Sequence, residues 1–149
     1  MKVLFVCLGN ICRSPLGEAI FLEKTGKLGP AFEADSCGTS NYNIGDDPDP
    51  RTQASAAGNN IPISHKARQL RRSDLEDFDL ILAMDQDNLR NILNLCEPAH
   101  QAKVKLMRSY DPLGTGDVPD PYYGEENDFA NVFEILNRSI DALVADLKK

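Results

Sequence analysis

Short apolar runs alternate with longer stretches of helical periodicity along the 149 residues. Lys2-Val3-Leu4-Phe5-Val6 is apolar and rich in β-branched residues, which predicts a buried strand. Ser14-Pro15 is a helix start, and the pattern after it predicts a helix to about Lys24. Next come an expected strand near Phe32–Ser36, a helix opened by Asp49-Pro50 and a short apolar piece at Ile61–Ile63. A helical stretch around Lys66–Asp77, a strand at Leu80–Met84, a helix through Leu89, Ile92, Leu93 and Cys96, and a strand near Lys103–Leu106 complete the middle of the chain. Phe129, Val132, Phe133, Leu136, Ile140, Leu143, Val144 and Leu147 then hold a 3.6-residue period, so the last helix turns a core face inward.

This alternation favours a parallel sheet in an α/β domain. Four parallel strands with helices on both faces suggest a flavodoxin-like three-layer sandwich of strand order 2-1-3-4, with the first strand central. Ligands of such sheets bind outside the carboxyl ends of the strands, where the chain direction reverses. Cys7 falls at that point. No repeat or linker interrupts the chain, so residues 1–149 read as one domain. The connection between the last strand and the last helix is roughly 20 residues, longer than packing requires and therefore a candidate functional loop.

The segment Cys7-Leu8-Gly9-Asn10-Ile11-Cys12-Arg13-Ser14 joins the first strand to the first helix and carries the clearest chemistry. Inward-pointing loop N–H groups and a helix N-terminus make a cradle for a tetrahedral dianion, here spanning Leu8 to Ser14. Gly9 frees the backbone and Asn10 tolerates a left-handed turn. Helix-terminal amides and a nearby Arg are the surroundings in which a cysteine serves as a thiolate nucleophile, and Cys7 is placed in them. Arg13 grips two phosphoryl oxygens through its planar fork. Ser14 is placed to donate its hydroxyl to the thiolate and to cap the helix.

The sequence has 23 acidic and 16 basic residues, a net charge of −7, which disfavours nucleic acid and anionic membranes. An anionic substrate must be drawn by a local positive site. The four cysteines follow neither zinc-ligand nor secreted-framework spacing, and a reactive thiol must stay reduced, which points to the cytoplasm. The N-terminal apolar run is too short for a signal peptide or membrane span.

Val6-Cys7-Leu8-Gly9-Asn10-Ile11-Cys12-Arg13-Ser14-Pro15 resembles the signature of the low-molecular-weight protein tyrosine phosphatases. Asp120-Pro121-Tyr122-Tyr123-Gly124 resembles that family's general-acid loop, Pro48-Asp49-Pro50-Arg51 its helix-opening segment, and Ser64-His65-Lys66-Ala67-Arg68-Gln69 its loop-supporting segment. The resemblance implies hydrolysis of phosphotyrosine in proteins and of small aryl phosphates without metal or cofactor. Cys7 is the implied nucleophile, Arg13 the phosphate clamp and Asp120 the general acid and base. Ser36 and His65 are implied to support the loop with Asn10 and Ser14, and Tyr42, Tyr122 and Tyr123 to form the substrate rim. A reversible Cys7–Cys12 disulfide is implied as protection against overoxidation. Cys37 and Cys96 read as core fillers, Arg71-Arg72 and Asp46-Asp47-Pro48-Asp49 as solvated surface and turn. Cys37 stands where relatives commonly have alanine, and Asp46-Asp47 make the rim acidic, so peptide preference does not transfer. A monomer is expected, with weak self-association through the rim left open.

Three rivals remain on the residues alone. An arsenate reductase needs a downstream thiol relay, and Cys96 has no close partner in sequence. A phosphoarginine phosphatase tends to carry threonine where Ile11 stands. A phosphate-binding module without turnover would lack a nucleophile or an acid.

Overall fold

A computed structural model describes residues 1–149. Four strands, β1 (Lys2–Cys7), β2 (Glu33–Gly38), β3 (Leu80–Ala83) and β4 (Val104–Leu106), form one sheet of order β2-β1-β3-β4. All pairings are parallel, with Cys7 opposite Gly38 and Val6 opposite Ala83, so β1 lies between β2 and β3 as the apolar pattern requires. Helices α1 (Arg13–Thr25), α2 (Pro50–Gly58), α3 (Arg72–Asp77), α4 (Gln86–Leu95) and α5 (Glu126–Leu147) complete the chain.

Both faces of β1 are covered, which explains why Lys2–Val6 shows no polar alternation. Val3, Phe5 and Cys7 face α1 and α5, packing with Ile20, Phe21, Leu136 and Ile140. Leu4 and Val6 face the opposite layer, with Leu75 of α3 and Ile92 of α4. The periodic face of α5 is core throughout, Phe129 to Val144 being buried at each of those positions. Each such leucine, isoleucine or phenylalanine contributes about 1.5–3 kcal/mol by leaving water, so the two cores fix β1 and with it the place of Cys7.

The expected helix over Lys66–Asp77 is corrected: only Arg72–Asp77 is helical. Residues before it run extended because their backbone groups are used elsewhere. Arg68 O accepts from Gly38 N, Leu70 N donates to Gly38 O, and Ala67 N donates to Asp46 O. These bonds lay the segment beside the end of β2, with Gln69 bridged to Gly38. Strand β2 runs two residues past Ser36, with Cys37 paired to Val6 and Gly38 to Cys7 of β1. Cys37 is fully buried as a core filler, whereas Cys96 lies past the end of α4 and is half-buried.

The long connection after β4 is tied down at its start by Asp111, whose carboxylate is buried. Arg138 of α5 donates through Nε (2.9 Å) and Nη2 (3.2 Å), Arg108 through Nε (2.9 Å) and Leu113 through its N–H (2.9 Å). Burial alone would raise the Asp111 pKa, but these donors, Arg138 foremost, hold it at about 2. An unfolded aspartate titrates near 3.9, so the stabilisation from this group is complete above about pH 4 and is lost as pH falls through 2. Asp111→Asn is therefore expected to lower the melting temperature at pH 6, with the gap to wild type closing as the pH is taken from about 4 towards 2.

Candidate active site

Strand β1 ends at Cys7, and the chain turns through Leu8–Cys12 into α1. The turn depends on Asn10, a non-glycine residue at φ +58° that is 1 % exposed. Asparagine tolerates this left-handed backbone because its short amide finds local partners. Here the Asn10 N–H points to Cys7 Sγ (3.3 Å), and Asn10 Nδ2 donates to Ser14 Oγ (2.8 Å) and Ser36 Oγ (3.0 Å). Gly9 does not take a positive φ, contrary to the sequence expectation. Its lack of a side chain instead admits Asn43, whose Nδ2 would sit 2.6 Å from a Cβ at this position. Gly38, which the sequence reading passed over, is closed off by backbone and not by a side chain: a Cβ there would lie 2.6 Å from Leu8 O and 3.2 Å from Asn10 N.

The direction of each hydrogen bond follows from Asn10. Since Nδ2 donates to both serines, the Ser14 hydroxyl hydrogen is free to point at Cys7 Sγ, 3.0 Å away. Ser14 does not cap α1, correcting that part of the expectation; the N-cap is Cys12, without a side-chain cap bond. The Ser36 hydroxyl donates to Glu18 Oε1 (2.6 Å). Asn10 Oδ1 accepts from the Arg68 N–H (3.0 Å) and lies 2.7 Å from His65 Nε2, which assigns the imidazole proton to Nε2. His65 Nδ1 then faces Glu18 Oε1 at 3.3 Å and Asp35 at 3.8 Å. Desolvation pushes the Glu18 carboxyl up to about 7 and lowers the His65 imidazole. Ser36 and His65 thus stand where the resemblance placed them and Arg68 comes from the segment it read as loop-supporting, while Glu18 and Asp35 enter the network unannounced.

Arg13 is 2 % exposed and comes from the first turn of α1. Its Nη1 donates to Asp85 Oδ2 (2.7 Å) and Val118 O (3.0 Å), and Nη2 lies 3.6 Å from Asp120 Oδ2. Burial opposes the guanidinium charge, but Cys7, Asp85 and Asp120 together favour it. Asp85 caps α4 through Asn88 N (2.8 Å) with its other oxygen, and so ties Arg13 to the end of β3. The sequence held one usable signal for it, an Asp between a strand and a helix in N-cap position.

These groups surround a cavity of about 240 Å³ lined by Cys7, Cys12, Arg13, Asp120 and the rim residues Tyr42, Tyr122 and Tyr123. Leu8, Gly9, Ile11 and Asn43 complete the wall. Tyr123 is 99 % exposed and its ring lies 4.9 Å from that of Tyr122. Burial drives the Cys12 thiol up to about 12, so it stays protonated at neutral pH. A larger cavity of about 590 Å³ between α2 and α5 contains no cysteine and lies apart from Cys7. Glu18, Asp35 and His65 bring three potential metal ligands within 4.8 Å, and three of their polar atoms are engaged within the network, Glu18 Oε1 by Ser36, Asp35 Oδ2 by Arg68 and His65 Nε2 by Asn10.

Two outcomes follow from this geometry. Glu18 titrates at about 7 when folded and near 4.3 when unfolded, so its contribution to stability is full below about pH 4 and is lost as pH rises through 7. The stability of wild type relative to Glu18→Gln should accordingly fall between about pH 4 and 8 in thermal melts. Asp85→Asn removes the charged partner of Arg13; calorimetry should show tungstate or inorganic phosphate binding about tenfold more weakly, the scale of a misplaced binding group.

Residues 2–149 match the low molecular weight phosphotyrosine protein phosphatase family. The human low molecular weight phosphotyrosine protein phosphatase is 44 % identical over 137 residues, covering 89 % of this chain and 87 % of that protein. Among solved structures, a protein tyrosine phosphatase from Entamoeba histolytica superposes with a TM-score of 0.96 at 36 % identity, over 99 % of this chain and 97 % of its own. A Drosophila arginine phosphatase superposes at 0.92 with 30 % identity, over 100 % and 99 %. No helix is long and apolar enough to cross a membrane. With Cys7 and Arg13 at the positions that its signature requires, this chain belongs to the low molecular weight phosphotyrosine protein phosphatase family.

Proposed function

We propose that this protein hydrolyses phosphotyrosine in proteins, and small aryl phosphates, through a phosphocysteine intermediate and without a metal. The observation that carries the reading is the shared cavity, with Cys7 Sγ hydrogen-bonded by Ser14 and by the Asn10 N–H, and with Arg13 and Asp120 on its walls. In the first step the Cys7 thiolate attacks phosphorus in line, forming the S–P bond as the P–O bond to the phenol breaks. Loop amides from Leu8 to Ser14 and the Arg13 fork hold the equatorial oxygens where charge develops. Asp85 and the Val118 carbonyl take Nη1 of Arg13, which leaves Nη2 and Nε to the substrate. Asp120 gives its proton to the departing phenolate. In the second step it takes one from water, which attacks phosphorus and releases the thiolate to the Ser14 hydroxyl.

The three tyrosines suit this reading, since exposed rings at the mouth offer faces to an aromatic leaving group. Ile11 puts apolar surface into the same wall, where its own side chain offers no hydrogen bond to a guanidinium, and this favours phosphotyrosine over the phosphoarginine that the name of the Drosophila structure suggests. Cys12 shares the wall with Cys7 and serves as its partner in a reversible disulfide. With its own thiol held protonated, it does not compete as nucleophile. Phosphoprotein substrates and action in the reducing cytoplasm complete the proposal.

Acid quench during turnover of a phosphotyrosyl peptide should trap phosphorus on Cys7 in wild type and none in Cys7→Ala. Asp120→Asn is expected to slow phosphoenzyme formation from phenyl phosphate by about 10²–10⁴-fold, the range a general acid contributes. Faster hydrolysis of phosphoarginine than of phosphotyrosine under chelator would point to the arginine-directed relatives instead.

A further inference from the structure

Asp49 and Arg51 lie outside the lining of the 240 Å³ cavity, yet they connect the two loops whose relative placement the chemistry requires. We propose that Arg51 is a positioning residue that holds the Asp120 loop over Cys7, an inference resting on Asp120 as the proton donor. The connection starts in the phosphate loop, where Ile11 O accepts from Asp49 N at 2.8 Å. Asp49 caps α2 by accepting from Arg51 N (2.8 Å), and its carboxylate also takes Arg51 Nε (3.0 Å) and Nη2 (2.9 Å). The same Nη2 donates to Tyr122 O at 2.9 Å, 71 residues further along the chain. The guanidinium lies over the Phe129 ring of α5 at 4.6 Å and over the Tyr122 ring at 5.6 Å. Finally the Tyr122 N–H donates to Asp120 Oδ1 at 3.1 Å. The path from Ile11 to Asp120 is thus unbroken.

Helix capping does not account for this arrangement. The cap of α2 is made by the backbone N–H of Arg51 and the carboxylate of Asp49, and it needs no side chain at position 51. What the side chain adds is a planar fork able to satisfy a carboxylate and a carbonyl together while stacking on a ring, a combination that suits Arg and not Lys. The acid loop has little else near Asp120. The Asp120 carboxylate is about half-exposed, and Arg13 Nη2 lies 3.6 Å from it, beyond hydrogen-bond length. The Tyr122 N–H holds Oδ1 and so fixes the orientation of the carboxyl group, with Oδ2 on the side of Arg13. Releasing Tyr122 O from Arg51 therefore loosens the group that orients the carboxyl, without touching the phosphate cradle.

The test compares Arg51→Met and Arg51→Lys with wild type in single-turnover formation of phosphoenzyme. Two substrates separate proton donation from everything else: phenyl phosphate, whose leaving group needs protonation, and p-nitrophenyl phosphate, whose leaving group scarcely does. Arg51→Met should slow the first by about tenfold and the second by less than about twofold, a fraction of what a general acid contributes. Arg51→Lys falls between Arg51→Met and wild type, and carries the same comparison if Arg51→Met fails to fold. Inhibition by inorganic phosphate should stay unchanged. In an Asp120→Asn background Arg51→Met should add no further loss, as expected of residues acting through one another. Equal slowing of both substrates, unimpaired phenyl phosphate reaction, or additive losses in the double variant would each overturn the positioning role. A wild type that hydrolyses neither substrate would overturn the phosphatase reading itself. Leaving-group sensitivity in Asp120→Asn but not in the Arg51 variants would sink the positioning role alone.

Discussion

The site depends on one residue held in an uncommon backbone conformation. Asn10 at φ +58° turns the loop tightly enough to bring its own N–H back to Cys7 Sγ, and the energetic cost of that turn is offset by its buried side chain. The amide has four hydrogen-bonding directions and each finds a partner: Ser14 and Ser36 on the nitrogen, His65 and Arg68 N on the oxygen. With Nδ2 donating and Oδ1 accepting, both serine oxygens receive a hydrogen from Asn10, and the Arg68 N–H and His65 Nε2 supply one to it. A side chain without both functions would leave at least one buried polar group unpaired, at about 1–3 kcal/mol. The orientation of the Ser14 hydroxyl towards the sulfur is therefore a consequence of Asn10, transmitted through a shared oxygen.

Charge is arranged on the same logic. The protein carries a net −7, but the only guanidinium lining the cavity is buried and matched by Asp85, with Asp120 further off. An arginine so placed cannot collapse onto the cysteine or swing out to solvent, so its remaining donors are prepositioned for an anion. In the proposed reading, local geometry and not global charge draws the phosphate. The carboxylate that fixes Arg13 also caps α4, so the same group that orients the clamp holds a helix to the end of β3.

What the sequence revealed was whatever is encoded over short spans. The apolar run Lys2–Val6, the loop Cys7–Ser14 and the face of α5 each carry their own signal, and together they led to the strand order. Contacts made across the sheet do not. Asp85 and Glu18 look like ordinary surface charges in sequence and acquire their roles only because the fold brings them to the loop that follows β1. Ser36 and His65 came from resemblance to a family and not from their spacing. The misread stretch before Arg72 shows the limit in a single case. Its residues satisfy a helical pattern well enough, but Gly38 at the end of β2 offers both an N–H and a C=O in register, and strand-like pairing with Arg68 and Leu70 won.

Gly38 also shows how fold and site constrain each other. The bridge to Gln69 brings the 67–70 segment close, which places Arg68 N on Asn10 Oδ1. The same residue must admit Leu8 O, so no side chain fits between strand end and loop. Backbone of the phosphate loop, the end of β2 and the supporting segment are packed against one another with nothing larger than hydrogen between them. Any ligand-driven movement of the cradle must then come from elements outside this contact. The long connection around Asp120, anchored at Asp111 and gripped again at Tyr122, lies outside that contact and reaches the pocket from the other end of the sheet order.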